Sequence, residues 1–320
     1  MDSNRPKVSV IVPVWGVEKY IEKCARSLFE QTLDDLEIVF VDDCTPDKSI
    51  EILKRVLLDY PNRKDQTKIV SYEKNRGLPQ ARKAGFEVSE GEYITYCDSD
   101  DWVASDMYEA LFIKAKEKDY DMVFCDFVYQ TDDKVLWAPS YDSSKTSAQL
   151  RQDVLSMSIS NSTWTKLVHR RVYEKGIYFP TIAMDEDDVL TSQMAYYSKT
   201  VGYVKRCLYF HYANPDSMTH VVSEEKKRKN LQDKVTNRKW IIDFYEKQGD
   251  ESLAYPLFKY KWSVKQLSVE LDGKSARGLY PEVNKDMVLG KGLTLKRRIM
   301  NFTILYMPGL WQNLKKRAIE

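Results

Sequence analysis

Over roughly its first 130 residues the chain alternates short apolar runs with amphipathic stretches. Lys7-Val8-Ser9-Val10-Ile11-Val12-Pro13-Val14 is dense in β-branched residues and closes on a proline, the pattern of a buried strand. Glu18 to Gln31 then sets Ile21, Cys24, Ala25 and Leu28 on one helical face. Leu36 to Val41 reads as a second strand stopped by Asp42-Asp43. Pro46-Asp47 opens a helix whose stripe is Ile50, Leu53, Val56 and Leu57. The same spacing predicts strands at 68–72, 93–97 and 121–128, and helices at 79–89 and from the N-cap Ser105 to Lys118. Strand and helix in alternation specify an α/β fold: a mostly parallel sheet, right-handed crossovers and helices on both faces.

Polar groups gather where these strands end. Trp15 follows the first, Asp42 and Asp43 the second, and Asp98-Ser99-Asp100-Asp101 the strand that starts at Tyr93. Side chains two apart on an extended chain point the same way, so Asp98 and Asp100 can converge. Converging carboxylates suit a hard divalent cation that also holds phosphates, and an open α/β sheet binds ligands at this edge. By itself the cluster reads first as a solvated acidic turn capping a strand, since short motifs recur by accident. Three strand ends delivering polar groups to one edge favour a pocket, because acidic groups are unfavourable beside a buried strand. Neither G-x-G-x-x-G nor G-x-x-x-x-G-K-[ST] occurs, so phosphates would be held by a metal and side chains.

Beyond about residue 130 the alternation stops. Thr131 to Ser144 reads as a hairpin or loop excursion, and Thr146 to Ile159 as a helix. Four acids, Asp185-Glu186-Asp187-Asp188, precede a helical stretch at 191–197, where the helix dipole favours them. Residues 223–270 predict two helices, one carrying Trp240, Ile241, Phe244 and Tyr245, the other Leu257, Trp262, Val264 and Leu267. The charge run Glu224 to Lys229 reads as a solvated helix face. From Lys285 to Glu320 eight Lys/Arg stand against two Asp/Glu, net +6. There an apolar stretch, Ile299 to Trp311, lies between Lys296-Arg297-Arg298 and Lys315-Lys316-Arg317. It is too short to span a bilayer and matches either an interfacial helix or a helix docked on protein.

Composition narrows the setting. With 320 residues, 43% apolar and a formal net charge of +1, the chain can bury a full core and gives no reason to expect a nucleic-acid partner. Five widely spaced cysteines suggest reduced thiols, and three histidines with no C-x-x-C or H-E-x-x-H argue against zinc. No apolar signal core precedes the first strand and no run reaches about 18 apolar residues. The expectation is a cytoplasmic protein, soluble or peripheral at the inner face of the cell membrane.

Four ordered segments resemble the inverting nucleotide-sugar glycosyltransferases of family two, with the GT-A fold. Val8 to Trp15 looks like the family's opening strand, and Val41-Asp42-Asp43-Cys44-Thr45-Pro46-Asp47 is similar to V-D-D-G-S-x-D. Asn75-Arg76-Gly77-Leu78-Pro79-Gln80-Ala81-Arg82 resembles N-x-G-x-x-x-A-R, and Asp98-Ser99-Asp100-Asp101 stands at the D-x-D-D position. Cys44 replaces the usual Gly, and Lys83 the Asn that commonly follows the Arg. The resemblance implies a base pocket at Pro13, Val14 and Trp15. It implies nucleotide contacts from Asp42, Asn75, Arg82, Asp98 and Ser99, with Arg82 at the base or diphosphate. It also implies Mg²⁺ or Mn²⁺ on Asp100. Trp164-Thr165-Lys166-Leu167 resembles the W-x-K-L segment of a bacterial subgroup, which would put Trp164 and Lys166, with Asp101 and His211, on the acceptor or phosphate side. Leu208 to Thr219 looks like the family's Y-x-Y-R…S-x-[ST] segment, with Ala213 where Arg is frequent. Glu186-Asp187 matches the acceptor-side E-D pair, with Asp187 the general base; Asp187-Asp188 is the alternative register.

The implied function is transfer of a sugar from a UDP-sugar to a glycan acceptor, a surface polysaccharide on a lipid carrier. The implied organisation is a nucleotide-sugar-binding half at 1–130, an acceptor-side half of the same domain at 131–222, and a helical extension at 223–320 that docks on membrane or partner. A nucleotidyltransferase acting on sugar phosphates is the competing enzyme class, but it calls for a Gly-rich basic loop where Val14-Trp15-Gly16-Val17-Glu18 stands. A non-catalytic carbohydrate-binding protein is the third reading.

Overall fold

The first apolar run is strand β1 (Val8–Val14), buried along its whole length. In the computed structural model, which describes residues 5–131, 134–138, 146–214, 223–271, 273–290, 293–307, 309–311 and 314, it lies inside a mixed sheet. Strands β2 (Leu36–Asp42) and β3 (Thr67–Ser71) extend the sheet on one side and β4 (Tyr93–Tyr96) on the other, all parallel. The crossovers are the helices α1 (Ile21–Phe29), α2 (Ser49–Leu57) and α3 (Leu78–Val88). Helix α1 buries Ile21, Cys24, Ala25 and Leu28, the face read from the sequence. Val8, Val10, Val12 and Val14 join one core cluster while Ile11, Val39, Val41 and Ile94 join another, so the sheet is covered on both faces.

Past β4 the chain runs through β5 (Trp102–Val103), α4 (Met107–Glu117), β6 (Met122–Gln130), β7 (Val135–Ala138) and α5 (Ser147–Ser156). Helix α5 starts at a capping box between Thr146 and Gln149. The chain continues with β8 (Lys166–His169), α6 (Arg170–Tyr173), α7 (Glu186–Tyr197) and β9 (Val201–Tyr212). The sheet order is β3-β2-β1-β4-β8-β6-β9-β5, with β7 on β6. The parallel rule ends at β4, because β8 enters antiparallel between β4 and β6. Antiparallel neighbours need no crossover helix between them, so strict strand–helix alternation is no guide there. The hairpin expected after Thr131 is the antiparallel pair β6–β7, its last part lying outside the described residues. Strand β9 runs parallel to β6 through a register shift at Asp126, then sets Phe210 opposite Trp102 of β5. Its end thereby reaches the acidic turn that follows β4.

The chain divides into two compact units, Met1–His220 and Val221–Glu320. The second comprises α8 (Glu224–Gln248), α9 (Ala254–Leu271), α10 (Gly273–Gly278), α11 (Asn284–Leu289) and α12 (Leu295–Tyr306). Its core gathers Val269, Ala276, Val283, Ile304 and Leu305. Buried Lys265 donates to the carbonyls of Leu279 at 2.6 Å and Arg277 at 3.2 Å, groups the end of α10 leaves without helical partners. Among the described residues no helix is long and apolar enough to cross a membrane.

Candidate active site

The loops after β1 and β2 brace one another at the sheet edge. The backbone N–H of Gly16 donates to Thr45 Oγ1 at 2.8 Å, and that of Glu18 to Asp47 Oδ2 at 2.9 Å. Asp47 also accepts from the Ser49 N–H and hydroxyl, as a helix-opening acid does. Pro13 and Val14 are buried and Val14 belongs to the core, whereas Trp15 is 49% exposed beyond the strand end. Asp42 is half-buried and takes the Thr45 N–H at 2.9 Å on Oδ1. The buried Asp43 accepts from the N–H groups of Arg76 and Gly77, and Asn75 donates to the Asp43 carbonyl at 3.2 Å. Asn75 therefore fixes the loop into α3. Cys44, at the family's Gly position, has φ 57°, the left-handed region glycine favours.

Arg82, carried on α3, is fully buried and lies where two parts of the sheet edge meet. One terminal nitrogen donates to Asp98 Oδ1 at 2.9 Å; the other donates to both Glu186 Oε1 and Asp187 Oδ1. The sequence reading set Arg82 against the base or diphosphate; the guanidinium is instead engaged by carboxylates of the turn after β4 and of the start of α7. The reason is electrostatic: a buried cation needs paired charge, and Arg presents several donors in one plane. Asp187 and Glu186 open α7, whose N-terminal N–H groups favour negative charge. Thr163 Oγ1 donates to Asp187 Oδ1 at 2.9 Å, so Arg82 and Thr163 hold the same oxygen.

The four residues after Cys97 divide their work. Asp98 faces Arg82, and Ser99 is buried. Asp100 Oδ2 accepts from Asn214 at 2.9 Å. Asp101 is buried and turns to β9, accepting from Tyr209 Oη at 2.7 Å, the Tyr212 N–H at 2.7 Å and His211 Nδ1 at 3.2 Å. It latches the acidic turn to β9. Trp164 is likewise buried, stacked on Tyr209 at 4.2 Å and on His211 at 5.5 Å between ring centroids. Lys166 is buried with Nζ donating to the Ser160 and Ser162 carbonyls, and burial pulls its pKa down to about 7. Its ammonium thus orders the turn that carries Thr163.

Burial, opposed by Arg82 and reinforced by Asp101, Asp187 and Asp100, pushes Asp98 up to about 7. Burial and then Asp101 raise Asp100 as well. Glu186 is held well above the usual carboxylate range by burial, with Arg82 pulling the other way. A divalent cation placed near Asp98 and Asp100 would relieve the repulsion that raises both. A second grouping, Glu92, Asp119 and His169, lies at the other end of β4. Arg171 and Lys116 neutralise its acids at 2.6 Å and 2.8 Å, and His169 Nδ1 already accepts the Arg171 N–H.

Asn214 and Thr163, which hold Asp100 and Asp187, were missed by reading the sequence. Both stood inside noticed segments, one after the Tyr-rich run and one before Trp164, but nothing local marks an amide or hydroxyl as a carboxylate's partner. Ser217, Met218 and Thr219 lie outside the described residues.

Comparison with known proteins bears on this geometry. A family model described as glycosyl transferase family 2 matches residues 9–178. The uncharacterised glycosyltransferase EpsJ of Bacillus subtilis is 30% identical over 252 residues, covering 76% of this chain and 71% of EpsJ. Glycosyltransferase GlyA of Streptococcus pneumoniae is 29% identical over 308 residues, 92% of this chain, which spans 41% of that longer relative. Among solved structures, S. aureus TarS 1–349 in complex with UDP superposes with a TM-score of 0.61 at 19% identity, covering 95% of this chain and 92% of that one. That likeness establishes the GT-A fold.

Proposed function

This chain belongs to glycosyl transferase family 2, and from that premise we propose a metal-dependent, inverting transfer of a sugar from a UDP-sugar to a glycan acceptor. The observation that carries the reading is Arg82 joining Asp98, on the donor side, to Glu186 and Asp187, on the acceptor side. The two walls are thus within one guanidinium's span. That the S. aureus TarS 1–349 structure is a complex with UDP supports a UDP-sugar donor. The acceptor class in this reading is a surface polysaccharide growing on a lipid carrier, after the bacterial subgroup whose W-x-K-L segment Trp164 to Leu167 resembles.

Inversion is a direct displacement at the anomeric carbon, so a base must take the acceptor hydroxyl's proton on the face away from the leaving diphosphate. Asp187 fills that role. Arg82 and Thr163 grip its Oδ1, which orients the carboxylate. Glu186, buried and raised in pKa chiefly by that burial, sits beside it on the same Arg82 nitrogen. On the donor side Asp98 and Asp100 would hold Mg²⁺ or Mn²⁺, Asn214 orients Asp100, and exposed Trp15 offers a ring face to the base. The cation, when bound, neutralises charge on the departing diphosphate.

Thermal shift with UDP and Mn²⁺ tests the donor side. Wild type should gain stability from the pair, and Asp100→Ala should lose that gain while melting normally without ligand. A response of Asp100→Ala equal to wild type would refute the metal assignment. Screening UDP-sugars in the same assay, with mass spectrometry of products, then identifies the donor.

A further inference from the structure

Helix α12 uses one face to close its own unit. Ile304 and Leu305 are buried with Val269, Ala276 and Val283, and Met300 packs at the margin. Another face carries Leu295, Ile299, Phe302 and Tyr306, exposed by 73, 57, 46 and 38%. At about 100° per residue, spacings of four, three and four keep all four in one stripe roughly 60° wide. Exposed Lys296 flanks that stripe, within about 100° of its centre, while Arg298 on the other flank donates to the Gly290 carbonyl at 3.2 Å. Phe302 and Tyr306 lie against one another with ring centroids 5.0 Å apart, and the Arg277 guanidinium covers Tyr306 at 4.8 Å. Past the helix, Leu310 is a further exposed apolar residue, 46% open.

An ordered apolar stripe this continuous is unfavourable in water and marks a surface that is meant to be covered. Its flanks identify the cover. Charged residues are depleted from the centre of protein interfaces, whereas a lipid headgroup layer takes apolar residues inward and draws Lys and Arg to its anionic surface. The surrounding segment, Lys285 to Glu320, carries net +6 although the whole chain carries only +1. Twelve residues are too few to span the hydrocarbon, so the helix lies in the plane of the surface. We propose that α12 docks this protein on an anionic lipid surface, with Leu295, Ile299, Phe302 and Tyr306 inserted and Lys296 among the headgroups. The inference is independent of the sugar-transfer reading.

Vesicle co-sedimentation of the full chain tests it, using phosphatidylcholine alone or mixed with phosphatidylglycerol. Wild type should bind the mixed vesicles at least about tenfold more tightly than the neutral ones. The double variant Ile299→Ser/Phe302→Ser changes exposed residues only, so its circular dichroism and Tm should match wild type while binding falls at least about tenfold. Lys296→Gln should lower binding about fivefold on mixed vesicles alone. Failure of wild type to bind mixed vesicles, or undiminished binding by the folded double variant, overturns the proposal. So does self-association that the double variant abolishes in a protein indifferent to vesicles, which would assign the stripe to a second copy.

Discussion

Arg82 is a fully buried cation whose terminal nitrogens reach three carboxylates. Burial works against its charge, and Asp187, Glu186 and Asp98 outweigh that penalty. Removing one partner of such a set strands the others. Arg82→Met should therefore cost about 3–5 kcal/mol, read as a lowered urea midpoint at unchanged slope. A loss under about 1 kcal/mol would mean the carboxylates do not depend on Arg82. His211 gives a pH signature. Burial disfavours its charge, but Asp101, with Asp98 and Asp100 behind it, raises its pKa above 6.5. A histidine raised in the folded state stabilises fully below the unfolded value and loses that contribution as pH climbs through the folded one. The Tm gap between wild type and His211→Gln should thus be widest near pH 6 and narrow toward alkaline pH. A gap that widens with pH would contradict the Asp101–His211 pairing. Each acid in this network could be named from the sequence, because strand ends and helix starts mark them. That they share Arg82 could not, since its contacts with Glu186 and Asp187 span 104 and 105 residues.

The elements were legible in proportion to how local their signals are. β1, β2 and β4 showed as apolar runs, α1 as a clean stripe, and α5 as a helix beginning at Thr146. The antiparallel insertion of β8 was not, because four residues of strand carry no record of which neighbour they pair with. Helix α3 shows how an element positions the site. A Cβ at Gly85 would collide with Ile11 of β1 and press Val41 of β2, so glycine lets the helix lie close on the sheet and sets where Arg82, three residues earlier, emerges. Gly85→Ala should destabilise by about 1–3 kcal/mol through forced repacking, measured by denaturant unfolding. A neutral or stabilising effect, as helix propensity alone favours, would show that the packing is looser than this.

At the scale of the whole molecule, the proposed donor and acceptor walls, Asp98 and Glu186-Asp187, come from segments about 90 residues apart and meet only when β8 and β9 complete the sheet and α7 packs beside it. The first unit holds both walls, while the second has its own core and presents the apolar stripe of α12. The sequence suggested the walls through their acids and left their junction to the fold, because only tertiary packing brings Asp98 and Asp187 onto one guanidinium. The division of labour between them is the central claim, and Asp187→Asn probes it most directly. This variant keeps the side chain's shape but cannot take a proton. Calorimetric titration with UDP and Mn²⁺ should give an affinity within about threefold of wild type, while sugar transfer falls by about 10²–10⁴-fold. Undiminished transfer would remove Asp187 as the base, and loss of UDP affinity in step with transfer would move it to the donor wall.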